Sequence, residues 1–186
     1  MLSALTDEKI MDYVRNGRLS DLTELFNRYN VAVFNFFLKL TADRQKSEDL
    51  TQNLFYRIIR YRESFQPDKG SFKSWMYQMA RNMHADFCKQ EKKVKHIVKD
   101  SLHFNENETP AAAEQSVEEN YERLHSALAK LGPVDRELIV LSRFEGLKYR
   151  EISKIKNMSE GSVKVQIHRA IKELKQLYFN QKEGRR

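Results

Sequence analysis

Residues 149–169 read YREISKIKNMSEGSVKVQIHR, and their pattern predicts the architecture of the last third of the chain. A short helical pattern ends near Ile155, and a longer one begins at Glu160 after a four-residue turn. Within the turn, Asn157 can take the left-handed backbone conformation, and Ser159 can cap the exposed amides of the second helix. Two helices joined in this way predict a helix-turn-helix, whose second helix enters the major groove of DNA.

The second helix of this motif has two unlike faces. At 3.6 residues per turn, its apolar residues share one face that we expect to be buried: Val163, Ile167, Ala170, Ile171, Leu174 and Leu177. On the opposite face, Val165 stands alone among polar residues, where it could meet a thymine methyl group. Cations there can reach phosphates or guanine edges, although a solvated charged face is the ordinary alternative. We expect DNA contacts from Ser162, Lys164, Val165, Gln166, His168, Arg169 and Lys172.

Helical spacing also precedes the motif. Leu124 and Leu128 predict one helix, and Gly132-Pro133 ends it and starts the next. That helix is expected from Asp135 to Phe144, and Gly146 ends it. The C-terminal part is therefore predicted to be a four-helix unit over residues 119–186.

A change in composition separates this unit from the rest of the chain. Between Asp100 and Glu122 there are seven acidic residues and neither Lys nor Arg. Such a run is typical of a linker, and we expect a flexible acidic connection at residues 96–118.

The N-terminal residues 1–95 form the other predicted domain. Apolar residues recur at helical spacing there, which predicts packed helices, as in Leu22, Leu25, Phe26 and Tyr29. Breaks near Gly17, Asp43 and residues 64–71 divide the stretch into four expected helices. The balance of 32% charged and 40% hydrophobic residues, with only 6 Gly and 3 Pro, also favours helices. The chain is thus predicted to be all-α, with two small helical domains joined by the linker.

Charge and cysteine content narrow the function further. A formal net charge of +7 favours a polyanionic partner. Cys88 is the sole cysteine, and a single thiol excludes an intrachain disulfide and fits a reducing compartment. The N-terminus lacks the pattern of a signal peptide, and no apolar run is long enough to span a membrane. We expect a cytoplasmic protein that does not insert into the membrane.

The predicted helix from Ser47 to Tyr61 leaves one polar face outside. We expect it to bury Leu50, Leu54, Phe55, Ile58 and Ile59, and to expose Asp49, Gln52, Asn53, Tyr56 and Arg60. A tyrosine among polar groups suits a protein partner, although single surface tyrosines are also ordinary.

The next predicted helix begins at Phe72 and mixes aromatic, amide and basic side chains. We expect Trp75, Gln78, Asn82 and Lys89 along one flank, with Tyr77 and Arg81 further round. Such residues can stack unpaired bases and hold a strand's backbone. The alternative makes Trp75 a residue at the edge of the core.

Taken together, these stretches resemble the sigma-70 family of RNA polymerase sigma factors, in its extracytoplasmic-function (ECF) subgroup. Residues 49–55, DLTQNLF, look like the region 2.2 motif that grips the beta-prime clamp helices of RNA polymerase. Residues 72–86 are similar to regions 2.3 and 2.4, which open and read the minus-ten promoter element. Residues 131–174 resemble region 4, which reads the minus-thirty-five element through its helix-turn-helix.

The resemblance implies a role for each surface. The expected polymerase-binding residues are Asp49, Gln52, Asn53, Phe55 and Tyr56. The expected minus-ten residues are Lys73, Trp75, Gln78, Arg81, Asn82 and Lys89. Residues 64–71 would capture a flipped base, and the helix-turn-helix residues named above would contact the minus-thirty-five duplex.

The resemblance also implies partners and a task. The protein would bind core RNA polymerase through the beta-prime clamp helices and the beta flap, and would direct it to promoters of a stress or envelope-response regulon. An anti-sigma factor would hold it inactive. We expect no cofactor, no bound metal and no catalysis by the chain itself.

Two other functions remain open on the residues alone. A helix-turn-helix regulator would bind duplex DNA without polymerase, usually as a dimer, yet no apolar dimer face is visible. A nucleic-acid enzyme would need a metal or catalytic cluster, and the five histidines have no metal-ligand spacing with Cys88 or with each other.

Overall fold

The computed structural model describes residues 4–99 and 117–180. Of the predicted linker, residues 100–116 lie outside the described part, and its two ends belong to helices. The N-terminal bundle contains the four predicted helices: α1 (Asp7–Arg15), α2 (Leu22–Thr41), α3 (Arg44–Arg60) and α4 (Phe72–Lys99). Short 3₁₀ turns at Leu19–Asp21 and Arg62–Ser64 connect α1 to α2 and follow α3.

Side-chain caps begin two of these helices. Thr6 accepts a hydrogen bond from the Lys9 amide at 3.3 Å, and Asp43 accepts one from the Lys46 amide at 3.0 Å. Between α2 and α3, Ala42 has a left-handed backbone (φ 55°), which reverses the chain in two residues. The break predicted near Asp43 is therefore a tight turn between antiparallel neighbours.

The C-terminal unit also has four helices. They are α5 (Val117–Lys130), α6 (Pro133–Ile139), α7 (Tyr149–Lys156) and α8 (Glu160–Asn180). Pro133 occupies the first turn of α6, as predicted from Gly132-Pro133. The helix predicted to continue to Phe144 instead changes at Val140 into a π-helical turn, Val140–Phe144, before Gly146 reverses the chain at φ 65°.

The helix-turn-helix has the geometry predicted from its sequence. Asn157 is left-handed (φ 52°) and ends α7. Ser159 Oγ accepts a hydrogen bond from the Ser162 amide at 3.1 Å and so caps α8. Val163, Ile167 and Ala170 are buried, and Ile171, Leu174 and Leu177 are half-buried and pack against the core, so the apolar face of α8 lies where it was predicted.

The core of the N-terminal bundle is rich in aromatic and aliphatic residues. Phe36, Phe37, Leu54, Ile58 and Phe72 are all fully buried. Phe26 does not follow this pattern. Its helical spacing grouped it with the buried residues of α2, but 41% of it is exposed, because it lies at the edge of the α2–α3 contact.

The largest apolar cluster crosses from the N-terminal bundle into the C-terminal unit. It joins the bundle's buried residues to Leu138, Val140, Leu141, Leu147, Ile152, Ile155, Val163 and Ile167. Helix α7 packs against α4, while α5, α6 and the π-helical turn pack against α2. A second, smaller cluster of Leu128, Leu131, Ile139 and Ala170 holds α5, α6 and α8 together. Within the described residues, no helix combines the length and apolarity needed to cross a membrane.

The cap of α8 offers a test of the helix-turn-helix. Ser159→Ala removes the oxygen that satisfies the Ser162 amide, and should lower the free energy of unfolding by about 1 kcal/mol. Urea denaturation followed by circular dichroism would measure the loss. Ser159→Asp keeps a capping oxygen and should retain stability, so an equal loss in both variants would contradict the assigned cap.

Candidate nucleic-acid and polymerase surfaces

The outer face of α3 presents four of the five side chains predicted to bind a protein partner. Asp49, Gln52 and Asn53 are exposed, and Tyr56 is 61% exposed. The fifth, Phe55, is only 6% exposed, because it points toward α2 and meets the Phe26 ring edge-on at 4.8 Å between centroids. The polar face is thus continuous without Phe55.

Phe26 extends this surface from the neighbouring helix. Its exposed ring stands beside Phe55 and so adds an apolar contact next to the polar face of α3. Spacing within α2 alone does not show where α3 crosses it, so Phe26 could not be predicted as a surface residue.

Polar contacts fix α3 against its neighbours. Lys46 donates to Glu91 of α4 at 2.6 Å, so the first turn of α3 is tied to α4. The Lys46 amide also hydrogen-bonds the Asp43 carboxylate and holds the pKa of that carboxyl below its usual value. Buried Thr51 donates to the Ser47 carbonyl at 2.7 Å. The outer face is therefore presented by a helix whose position is set at its start.

The exposed flank of α4 carries the residues predicted to touch unpaired DNA. Gln78, Asn82 and Lys89 are exposed along it, and Lys73 is half-buried. Trp75 is also half-buried, with its ring 5.5 Å from that of Phe65 and 6.0 Å from that of Phe72. The tryptophan therefore lies at the edge of the core and still presents part of its ring on the flank.

Tyr77 and Arg81, expected further round α4, both face the C-terminal unit. Tyr77 is completely buried, contrary to the expectation that it projects outward, and its hydroxyl donates to Glu145. Burial raises the pKa of Tyr77 and also that of Glu145. Arg81 Nε donates to Glu137 Oε1 at 3.2 Å, so it is paired across the two halves of the protein.

The outer face of α8 presents the basic residues predicted to bind duplex DNA. Ser162, Lys164, His168, Arg169 and Lys172 are exposed. Val165 is 52% exposed and stands alone among these polar side chains. Gln166 lies at the border of this face, where its amide donates to Asp135 of α6 at 3.1 Å.

The one thiol shows no activation. Burial raises the pKa of Cys88 and lowers that of His84, whose Nε2 lies 3.5 Å from the sulfur. Within residues 4–99 and 117–180, no three His, Cys, Asp or Glu side chains are grouped to hold a metal ion. The chemistry of the described surfaces is recognition by hydrogen bonds, charge and aromatic stacking.

Comparison with known families agrees with this arrangement. The model of Sigma-70 region 2 matches residues 25–94, and the model of Sigma-70 region 4 matches residues 121–174. The first match contains α3 and its outer face, together with the flank of α4. The second contains the whole helix-turn-helix.

Curated relatives extend the match over most of the chain. The ECF RNA polymerase sigma factor SigM of Bacillus subtilis is 34% identical over 160 residues, covering 84% of this chain and 94% of that protein. The RNA polymerase sigma factor CarQ of Myxococcus xanthus is 29% identical, covering 90% of this chain and 94% of that protein.

A solved structure shows the same fold. The sigma factor RpoE of Bartonella quintana, determined in complex with the anti-sigma factor NepR, superposes with a TM-score of 0.69 at 24% identity, covering 84% of this chain and 96% of that one. The two family models match in the order region 2, then region 4, and one relative is more than 30% identical over nearly its whole length. These matches exclude a regulator that works without polymerase and a nucleic-acid enzyme. The chain belongs to the ECF sigma factors of the sigma-70 family, which direct RNA polymerase to promoters and catalyse no reaction themselves.

Proposed function

We propose that this sigma factor divides its work among three exposed helix faces. The outer face of α3 binds the beta-prime clamp helices, the flank of α4 opens and reads the minus-ten element, and α8 reads the minus-thirty-five element, with region 4 also docking on the beta flap. The observation that carries the proposal is that each family motif falls on a different helix and leaves most of its polar residues exposed.

For α3, the proposed contact with polymerase is supported by a polar face whose residues are exposed and do not belong to the core. The Asp49 carboxylate can accept hydrogen bonds, and the Gln52 and Asn53 amides can donate and accept them. The helix is fixed from the other side by Leu50, Leu54 and Ile58. Such a face can bind a partner without being rebuilt. The exposed Phe26 and Tyr56 add the aromatic contact area that protein interfaces favour.

For α4, the support is a partly exposed tryptophan next to amide and basic groups. A base flipped from the duplex can stack on the open part of the Trp75 ring, and Asn82 can hydrogen-bond base edges that become available after melting. The rings of Phe65 and Phe72 hold the indole in place, so stacking costs little further ordering.

For α8, the support is the helix-turn-helix geometry with its capped N-terminus and basic outer face. Arg169, Lys164 and Lys172 provide charges for phosphates or guanine edges, and Val165 provides an apolar contact for a thymine methyl. In the free protein Gln166 is held by Asp135, so it must exchange this bond to contact DNA.

An anti-sigma factor is the partner proposed to control this protein. The support is that the similar RpoE of Bartonella quintana was determined in complex with the anti-sigma factor NepR. We place the protein in the cytoplasm, where RNA polymerase and chromosomal DNA are found, and assign it to a stress or envelope-response regulon.

Run-off transcription with core polymerase, followed by mapping of the start sites, tests the function as a whole. Specific transcripts should require both the sigma factor and core enzyme. Tight dimeric binding to duplex DNA without polymerase would contradict the proposed division of work.

The α3 face can be tested by Asp49→Ala combined with Gln52→Ala. Loss of hydrogen bonds to charged groups should weaken binding to core polymerase by about 1.5 to 3 kcal/mol for each bond, as measured by fluorescence anisotropy. Both side chains are exposed, so the circular dichroism spectrum should not change. Glu63→Ala, which removes an exposed carboxylate outside α3, is the matched control, and an equal loss in that variant would contradict the assigned face.

Trp75→Ala and Asn82→Ala test the α4 flank. Stacking and base-edge contacts form only after strand separation, so promoter melting should fall more than closed-complex formation, with about 1 to 3 kcal/mol for the stacked base. Permanganate footprinting measures melting. A template with a mismatched bubble over the minus-ten element should restore much of the activity, and normal melting in both variants would return Trp75 to a purely structural role.

Arg169→Ala and Val165→Ala test the α8 face separately. Loss of a phosphate contact by Arg169 should lower holoenzyme binding for every sequence and reduce the salt slope by about one unit. Loss of the Val165 contact should change the preference at a single thymine. Lys130→Ala removes an equal charge from α5 and should change neither the salt slope nor the base preference. If binding does not respond to the changes at Arg169 and Val165, another face of the protein contacts the duplex.

A further inference from the structure

The first turn of α4 is capped from two places. Ser71, the residue before α4, accepts a hydrogen bond from the Ser74 amide at 3.2 Å, as an ordinary side-chain cap does. The Phe72 amide is another of the donors left free at this end of a helix, and it donates to Glu8 Oε1 at 3.0 Å. Glu8 lies 64 residues earlier in the chain, so a carboxylate of α1 completes the start of α4.

The backbone around Glu8 is itself fixed to α2. The Asp7 carboxylate accepts a hydrogen bond from Arg28 Nη1 at 2.7 Å and another from the Tyr29 hydroxyl. Arg28 Nη1 also donates to the Leu5 carbonyl at 3.0 Å. These contacts hold the first turn of α1 against α2 on the N-terminal side of Glu8. The Glu8 carboxylate therefore reaches α4 from a backbone whose position is set by a third helix.

The residue that Glu8 holds is also the base of an aromatic cluster. The Phe72 ring is fully buried and lies 5.7 Å from the Tyr29 ring. It lies 6.0 Å from the Phe65 ring and the same distance from the Trp75 ring. The indole is half-buried, so its direction depends on the rings that it packs against. Fixing the Phe72 amide therefore fixes one of the two rings that support the indole.

Charge favours a carboxylate at this position. The N-terminus of a helix carries a partial positive charge, so an anion near it is stabilising. The first turn of α4 contains neither Asp nor Glu, and Lys73 adds a positive charge to it. Glu8 thus supplies from α1 the negative charge that α4 lacks in its own first turn. Its removal should loosen this turn, where both its charge and its hydrogen bond act.

We propose that Glu8 is a positioning residue for minus-ten recognition: its carboxylate fixes the first turn of α4 and thereby the direction of the Trp75 ring. Glu8 acts through Phe72 and has no contact with DNA in this role. The effect on promoters rests on the proposed stacking of an unpaired base on Trp75. The match to the Sigma-70 region 2 model begins at residue 25, so Glu8 lies outside the part of the chain that the model describes.

The position of the indole can be measured without DNA. Trp75 is the only tryptophan in the chain, so its fluorescence reports on this part of α4 alone. In Glu8→Ala the Phe72 amide loses its acceptor, and the emission of the indole should shift to longer wavelength while quenching by acrylamide increases. Circular dichroism should show at most the loss of one helical turn, because Met76 and Ala80 keep the rest of α4 packed.

Two conservative variants separate the hydrogen bond from the charge. Glu8→Gln keeps an oxygen acceptor at the same reach, so its emission should match that of the unchanged protein. Glu8→Asp keeps the charge but is shorter by one methylene, so it should lose the Phe72 amide and resemble Glu8→Ala. Both changes are mild enough to test the role if Glu8→Ala does not fold.

Asp12→Ala is the matched control for the loss of charge. It removes a carboxylate from the next turn of α1, where the side chain is 44% exposed and pairs with Lys9 at 3.6 Å instead of with α4. The emission and quenching of the indole should not change in this variant.

Promoter opening by the holoenzyme tests the consequence. Permanganate footprinting of Glu8→Ala should show melting of the minus-ten element reduced by about two- to tenfold, the effect of one ordinary hydrogen bond, with closed-complex formation unchanged. Glu8→Gln should restore melting. In a Trp75→Ala background, Glu8→Ala should reduce melting little further, because the ring that it positions is already absent.

The outcomes distinguish the positioning role from the promoter contact. Unchanged emission and quenching in Glu8→Ala and Glu8→Asp, or an equal change in Asp12→Ala, would overturn the proposal. Additive losses of melting in the variant that combines Glu8→Ala with Trp75→Ala would also overturn it, because Glu8 would then act elsewhere. Normal melting in Trp75→Ala alone would instead contradict the proposed stacking, and the fluorescence would still decide whether Glu8 positions the ring.

Discussion

Every long helix in this protein must bury one apolar stripe, and it can do so only against neighbouring helices. Helices α3 and α8 use their apolar stripes to pack against neighbours, which leaves the opposite polar face of each exposed. Helix α4 has to satisfy both regions, because Phe72 packs against Phe65 and Tyr29 of the bundle while the Tyr77 hydroxyl meets region 4. The binding surfaces are therefore the sides of helices that the core does not require.

Local pattern was sufficient where a feature depends on neighbours in sequence. The turn at Asn157, the cap at Ser159 and the buried stripe of α8 were all predicted, since each follows from spacing within one or two helical turns. The four helices of the N-terminal bundle were found for the same reason. The surface residues proposed for polymerase and DNA lie mostly on exposed faces, as their spacing indicated, and their roles remain predictions.

Features that depend on distant partners were not predictable. The spacing of Tyr77 gives its direction on α4 but not the presence of Glu145, which lies 68 residues later. Phe26 was grouped with the core because the crossing of α3 over α2 cannot be read from α2 alone. Phe55 was predicted both to be buried and to bind polymerase, and its burial leaves its neighbours on the outer face as the better contacts.

The π-helical turn at Val140–Phe144 sets the direction in which the following residues of region 4 point. There the Glu145 amide bonds the Val140 carbonyl five residues back, at 3.0 Å, instead of four. Such a turn holds one more residue than an α-helical turn, so the chain beyond it is rotated by about 100°. A deletion of one residue in this turn would convert it to regular helix and swing Glu145 away from Tyr77. The helix-turn-helix that follows would keep its own turn and cap, but the hydrogen bond between Tyr77 and Glu145 would be lost.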